Sequence, residues 1–241
     1  MVFICLGIYI VFAIIWYMPL YKKQPDDGSQ LKKKELIVSL ITGFIPAFVV
    51  SVLFQCALSW ILKIFGLPSN TTAAEIIMNI VGYAIGEEAV KYIFANKLLK
   101  KYGYKSVYNT ALLFGAVGAG FGLIESTLII IRSQNIIFSA LRGIVSLHVF
   151  LQLWMGLHLG FAMKVKETDM VNARRHTILA FAVPIFIHAV QDVSGTLGGL
   201  FINELPEWQY LGLAIMLISI ALDIFFIIKT LTSVKRSNCS D

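Results

Sequence analysis

The chain alternates between long apolar runs and short polar connections. Apolar runs near 20 residues or longer cover 1–20, 37–62, 75–96, 107–131, 136–163, 177–200 and 208–230. Because about 20 helical residues cross a hydrocarbon core of about 30 Å, each run predicts a transmembrane helix. The polar connections are loop-sized and leave no room for a separate soluble domain. The pattern predicts an all-α polytopic membrane bundle of about seven helices, in one domain over residues 1–241.

Composition supports a membrane protein and the charges predict its orientation. The chain is 58% hydrophobic and 14% charged, whereas soluble domains carry about 25% charged residues. Most of its 20 Lys and Arg residues lie in alternate connections, at 21–36, 97–105 and 164–176, and in the C-terminal tail. The positive-inside rule then predicts an N-terminus outside and a C-terminus in the cytoplasm. The basic excess is explained by topology and anionic lipid, and it makes no case for nucleic acid binding.

Ionisable residues interrupt the apolar runs in the middle of the chain. They are Glu87, Glu88, Lys91, Glu125, Arg142, His148, His158, His188 and Asp192. A charged residue at mid-membrane costs about 2.5–3.5 kcal/mol on insertion scales, so these groups cannot each face lipid alone. We expect them to face one another or a water-containing cavity.

Helical spacing brings some of these groups together. Glu87 and Lys91 are separated by four residues and Glu88 and Lys91 by three, so either carboxylate can pair with the ammonium. We expect one Glu to do so while the other points elsewhere, and the spacing does not decide which. His188 and Asp192 are also four residues apart, so they can orient each other or hold a common ligand.

Small residues predict close helix contacts near the two Glu-bearing runs. Gly118 and Gly122 form a small-xxx-small pair in the fourth run, and Gly82 and Gly86 form one in the third. Such pairs let a neighbouring backbone approach closely, so we expect the two Glu-bearing helices to touch.

Three polar residues of the spans have simpler interpretations. Arg142 is expected to pair with a carboxylate such as Glu125. His158 lies near the cytoplasmic end of its run and is expected to pack there. Asp223 lies within two turns of Lys229 and is expected to cap the helix or to extend toward the membrane surface.

Three short motifs occur in order on successive spans, in a motif core over residues 75–200. They are E-E-x-x-K (Glu87, Glu88, Lys91), F-x-x-x-E (Phe121, Glu125) and H-x-x-x-D (His188, Asp192). Each is weak alone, but together they resemble the PrsW intramembrane proteases, over roughly residues 80–200. The wider superfamily includes type II CAAX prenyl proteases, YhfC-type membrane peptidases and the anterior-pharynx-defective subunit of gamma-secretase. His148 resembles a further histidine of the PrsW and YhfC branches, whereas His158 has no counterpart.

The resemblance implies an intramembrane peptidase in a bacterial cell membrane. Its partners would be the bilayer and a membrane-anchored protein or peptide substrate, such as an anti-sigma factor or a peptide precursor. The expected catalytic residues are Glu87, Glu88 and His188. The expected orienting residues are Lys91 and Arg142. The candidate metal ligands are Glu125, His148, His188 and Asp192.

Two mechanisms of amide hydrolysis fit these residues. Hydrolysis needs an activated water, a donor for the oxyanion and a proton for the leaving amine. In the first mechanism the candidate ligands hold Zn²⁺ or another divalent metal that acidifies a bound water. In the second, Glu87 or Glu88 activates water without metal while His188 orients it, as the resemblance to type II CAAX proteases implies. The chain has no H-E-x-x-H or G-x-S-x-G motif, and no G-x-G-D motif accompanies Asp192.

Two other functions also fit buried charges. A non-catalytic scaffold of the same fold is one, as in the gamma-secretase subunit. An ion-coupled transporter is the other, because intramembrane Glu, His and Asp also mark ion paths. The full set of motifs favours the enzyme, and the sequence has no evident two-fold internal repeat of the kind common in transporters.

Overall fold

The computed structural model describes residues 2–24, 30–103, 106–133, 147–203 and 205–237, and the regular structure within these ranges is helical. The helices are α1 (Val2–Lys22), α2 (Lys33–Thr42), α3 (Phe48–Ile64), α4 (Thr72–Ile77), α5 (Gly86–Tyr102), α6 (Val107–Ser133), α7 (Leu147–Val165), α8 (Met170–Asn203) and α9 (Gln209–Ser237). A 3-10 turn, Pro206–Trp208, precedes α9. The predicted all-α class is confirmed.

Among the described residues, four helical stretches are long and apolar enough to cross a membrane. They are Lys33–Ile64, Val107–Ile129, Met170–Ile202 and Gln209–Ser237. They support an integral membrane protein. Helices also occupy the described parts of the other three apolar runs, but the count of seven spans and the N-outside orientation stay predictions.

Two π-helical segments lie within the described part of the chain. Gly43–Ala47 joins α2 to α3 and contains Pro46, and Met78–Ile85 joins α4 to α5. Proline has no N–H to donate and its ring clashes with the carbonyl four residues earlier, so a wider turn accommodates it within a continuous rod. The second segment ends at the residue before Gly86, and the Glu pair follows directly.

Helix α6 lies at the centre of the bundle. Every residue from 107 to 122 is buried, and α6 contacts α1, α2, α5, α7 and α9. A helix that is apolar on all sides is stable only when other helices cover it or lipid surrounds it, and here protein covers its first four turns. The helices that carry polar side chains are therefore arranged around an apolar axis.

Glycines allow α6 to approach its neighbours closely. A Cβ on Gly118 would overlap the backbone carbonyl oxygen of His148 in α7, and one on Gly120 would overlap that of Leu40 in α2. The predicted contact between the two Glu-bearing helices is present, since the Lys91 ammonium of α5 lies 4.4 Å from the ring centre of Phe121 in α6. The glycine at 118 nevertheless serves a different contact, because it positions α7 and with it His148.

Candidate active site

A cavity of about 1260 Å³ lies between α3, the π-helical segment Met78–Ile85, α8 and α9. Its inner wall includes Glu87 and His148. Its lining continues along one face of α3 to Lys63, about 12 Å farther along the helix than Gln55. The cavity therefore joins the buried motif residues to the end of α3 that precedes the connection to α4.

Glu88 is the carboxylate that pairs with Lys91. Its Oε1 accepts hydrogen bonds from Lys91 Nζ at 2.6 Å and from His188 Nδ1 at 3.0 Å. Its Oε2 accepts one from Gln152 Nε2 at 2.7 Å. The three donors come from α5, α8 and α7, so Glu88 ties three helices together. Glu88 and Lys91 are both fully buried and neither lines the cavity.

Glu87 has fewer partners and lines the cavity. Its Oε1 accepts a hydrogen bond from Gln55 Nε2 at 3.0 Å. Its Oε2 is buried and has no hydrogen-bond partner among the described residues. This oxygen lies 3.8 Å from Lys91 Nζ and 4.0 Å from His188 Nε2. Native proteins satisfy nearly all buried polar atoms, so an unpaired carboxylate oxygen beside a cavity marks a place for water, a proton or a cation.

His148 connects the paired lysine to a third carboxylate. Its Nδ1 lies 2.9 Å from Lys91 Nζ, and its Nε2 lies 2.7 Å from Glu125 Oε2. Because an ammonium group only donates, Nδ1 accepts from Lys91 and Nε2 carries the proton that faces Glu125. The ring also packs edge-on against Phe121, with centroids 5.3 Å apart.

His188 connects the two carboxylates of the E-E pair to Asp192. With Nδ1 donating to Glu88, its Nε2 lies 3.3 Å from Asp192 Oδ2 and faces Glu87 Oε2 as well. A neutral ring would present a lone pair to these oxygens, so the position calls for a proton or a metal ion. Asn79 Nδ2 donates to the backbone oxygen of Asp192 at 3.1 Å and holds this turn of α8 against the π-helical segment.

The donor atoms fit a divalent metal. Glu87, His148 and His188 each offer one ligand atom, and these atoms lie within 4.8 Å of one another. Nitrogen and carboxylate oxygen are donors that Zn²⁺ accepts in proteins. Glu125 and Asp192, two of the predicted ligands, lie against the imidazole rings of His148 and His188 instead, where they can fix ring orientation as outer-sphere partners do.

The structure brings together all the predicted site residues that it describes. Arg142, predicted to orient a carboxylate, lies outside the described residues. Sequence reasoning missed the amides of Gln55, Gln152 and Asn79, which hold Glu87, Glu88 and the Asp192 turn. Their position within apolar runs could have identified them, because neutral amides in membrane helices commonly hydrogen-bond to neighbouring helices.

Two simpler expectations have opposite outcomes. His158 packs against Trp154, with ring centroids 4.5 Å apart, and its Nδ1 lies 2.8 Å from Nδ1 of His176, so the packing role is confirmed. The expected surface role of Asp223 is wrong. Asp223 is 4% exposed and lines the cavity, because the face of α9 that carries it turns inward rather than toward Lys229 and the membrane surface.

Fold and site define a membrane-embedded helical protein with a buried Glu/His cluster beside a cavity. The family model described as "PrsW family intramembrane metalloprotease" matches residues 32–222, which is most of the chain. The chain therefore belongs to the PrsW family of intramembrane metalloproteases. No curated protein and no solved structure matches it significantly.

Proposed function

We propose that the chain is an endopeptidase that hydrolyses a peptide bond of a membrane-anchored protein or peptide inside the cavity, with Glu87 at the reaction centre. The observation that carries the proposal is the Oε2 of Glu87, which is buried beside the cavity, faces His188 and has no hydrogen-bond partner among the described residues. A carboxylate that served only to hold helices together would have its oxygens satisfied, as those of its neighbour Glu88 are.

In the metal-free form of the mechanism, Glu87 takes a proton from the water that attacks the scissile carbonyl carbon. It then returns the proton to the leaving amine. Gln55 holds the other oxygen of Glu87 and so aims the carboxylate. His148 lines the same wall, and we assign its Nε2–H to the developing oxyanion, which would take this hydrogen bond over from Glu125. Glu88 keeps His188 in position through Nδ1.

In the metal form, Glu87, His148 and His188 hold a divalent cation and Asp192 orients His188. When bound, such an ion supplies Lewis-acid polarisation of water and of the substrate carbonyl. The family description favours this form. The ring of His148 would then exchange one of its present hydrogen bonds for the ion, because Lys91 and Glu125 occupy both nitrogens. Metal content therefore decides which role Glu87 has.

The cavity lining suits a substrate segment that has lost its helical hydrogen bonds. Peptide groups within a membrane must be paired, so an unwound segment needs donors and acceptors from the enzyme. Gln55, Ser59, Asn79 and Tyr83 line one side of the cavity and Thr196 lines another. We therefore propose that the substrate enters along α3 and unwinds against these side chains.

The test is cleavage of single-span reporter proteins by the purified chain in nanodiscs. Wild type is compared with Glu87→Gln and with Glu167→Gln, a matched change at an exposed glutamate. We expect wild type and Glu167→Gln to cleave and Glu87→Gln to be inactive while folded. Bound metal is quantified in each preparation, and a chelator is added to active enzyme.

Each outcome discriminates between the alternatives. Stoichiometric metal that is lost with Glu87→Gln, together with inhibition by the chelator, supports the metal form. Full activity without metal supports the glutamate form. Equal cleavage by wild type and Glu87→Gln contradicts the role of Glu87. A folded, metal-loaded wild type that cleaves no reporter would favour the non-catalytic scaffold.

A further inference from the structure

Asp223 is a buried carboxylate that the reaction scheme does not use. It is the only acidic residue of α9, in the middle of an otherwise apolar stretch. Its side chain is 4% exposed and lines the cavity, one turn after Ser219 on the same face. It forms no hydrogen bond or ion pair with any residue in the described part of the chain. The family match ends at residue 222, so family membership assigns Asp223 no role.

The described wall of the cavity is acidic. Glu87, Glu125, Asp192 and Asp223 all line it, whereas the basic side chain that lines it, Lys63, lies toward the end of α3. The other lysine of the region does not reach the open surface of the cavity. The Lys91 ammonium is fully buried behind the carboxylates, where Glu88 and His148 bind it. Asp223 itself is near enough to Asp192 for charge repulsion.

We propose that Asp223 forms a subsite for a cationic group of the substrate, the side chain of a Lys or Arg within the segment that enters the cavity. The proposal rests on the proposed peptidase function and adds a specificity to it. A buried carboxylate without a partner is costly, and a substrate cation that binds it removes this cost. A substrate with an apolar side chain at the same place leaves Asp223 unpaired, so selection would come from the penalty against the wrong side chain as well as from the contact with the right one.

Geometry favours recognition over a structural role. A structural carboxylate in this protein has partners from several helices, as Glu88 has from α5, α7 and α8. Asp223 has none of these and its side chain is directed into open volume. Asp223 lines the same cavity as Glu87 but forms no hydrogen bond with the described site residues, so it lies beside the reaction centre and not within it.

The test measures binding separately from cleavage. The Glu87→Gln variant in nanodiscs is titrated with fluorescent single-span peptides that differ only in carrying one Lys or one norleucine, moved stepwise through the central positions. We expect Lys to tighten binding at least tenfold at one position or at two adjacent positions. Adding Asp223→Asn should abolish that preference. Adding Asp169→Asn, the same change outside the cavity, should leave it unchanged.

Charge reversal provides the second arm. Asp223→Lys should prefer a peptide with Glu at the position where the parent prefers Lys. The proposal is overturned if Lys tightens binding at no position, or if the preference survives Asp223→Asn in a protein whose unfolding temperature is unchanged. Because the binding arm uses an inactive variant, its failure is distinct from failure of the peptidase proposal, which is read from cleavage of the same peptides by wild type.

Discussion

Glu87 and Glu88 are neighbours in sequence but lie in two different regions of the molecule. Around Glu88 the helices are closed, and donors from three of them occupy both carboxylate oxygens. Around Glu87 the helices open onto the cavity, where Gln55 occupies one oxygen and the other has no hydrogen-bond partner among the described residues. Successive residues of a helix point about 100° apart, so one turn of α5 faces both regions.

The difference separates two uses of a carboxylate in a membrane. A fully paired one costs little to bury and stabilises the position of its donors. An unpaired one is expensive and is retained where it binds or activates something. In this protein the closed region supports the open region through His188, whose Nδ1 binds Glu88 and whose Nε2 faces Glu87.

The sharpest test of the comparison replaces each Glu by Gln. We expect Glu87→Gln to lower the cleavage rate by about 10²–10⁴-fold, the usual contribution of a general base, with an unfolding temperature close to that of wild type. Glu88→Gln should instead lower stability, because it removes the nearer of the two carboxylates that face the buried Lys91 ammonium, at 2.6 Å against 3.8 Å for Glu87. Reporter cleavage and thermal unfolding in detergent measure the two effects. If Glu88→Gln mainly lowered the cleavage rate and Glu87→Gln mainly lowered stability, the roles assigned to the two carboxylates would be wrong.

The closed region is tested by removing the other charge. Lys91→Met should destabilise the protein by about 3–5 kcal/mol, because the buried Glu88 loses its ammonium counter-ion and keeps only its hydrogen bonds from Gln152 and His188. Adding Glu88→Gln should recover part of the loss, so the double variant should be more stable than the sum of the single effects. Lys100→Met, at an exposed position of the same helix, is the matched control. Additive effects of Lys91→Met and Glu88→Gln in equilibrium unfolding would contradict a closed ion pair.

A smaller effect is expected at the contact that positions His148 between the two regions. Gly118→Ala places a methyl group against the His148 carbonyl and should cost about 1–3 kcal/mol. It should also reduce cleavage, since His148 moves with its backbone. Gly199→Ala is the control, because a Cβ there meets nothing within 4 Å. Equal unfolding temperatures for the two variants would show that α7 can move away from the added methyl group without loss of stability.

The smallest effect is expected for a carboxylate outside the candidate membrane spans, Asp169. It shows how a carboxylate in contact with water behaves, for comparison with the two buried regions. Asp169 Oδ1 accepts a hydrogen bond from the backbone N–H of Asn172 at 2.9 Å at the start of α8, and this bond lowers the pKa of Asp169. Its stabilisation is therefore present above the unfolded pKa of about 3.8 and is lost as pH falls through the lower folded value. Asp169→Asn keeps a capping side chain, so it should differ slightly from wild type near pH 6 and not at all in strong acid. Melting curves across that range check this, and a constant difference would contradict the charge effect.

Sequence alone predicts the helices and the members of the charged cluster that the structure describes, while the place of Arg142 stays a prediction. Apolar length is a local signal, and six charged groups in apolar runs must meet because lipid cannot solvate them. Spacing could not decide which Glu pairs with Lys91, because separations of three and four residues are equally favourable. The deciding contacts are those of Gln152 and His188 with Glu88, which come from other helices.

The errors have the same origin. The side of α9 that carries Asp223 is set by how that helix packs against α7 and α8, and hydropathy along one helix does not contain that rotation. Likewise, the contact made by Gly118 depends on which neighbour lies opposite it. The rotation of a helix about its axis and the choice of its neighbours depend on tertiary packing, so sequence motifs do not determine them.

The π-helical segment Met78–Ile85 affects the rotation of α5, the helix that carries Glu87 and Glu88. A π-helical turn holds more residues than an α-helical one, so the same residues wound at the ordinary α-helical pitch would rotate α5 against α4 by roughly 100°. The E-E-x-x-K letters would be unchanged, yet the carboxylate presented to the cavity would differ. The wide turns thus set which side of α5 faces the cavity, independently of the motif residues themselves.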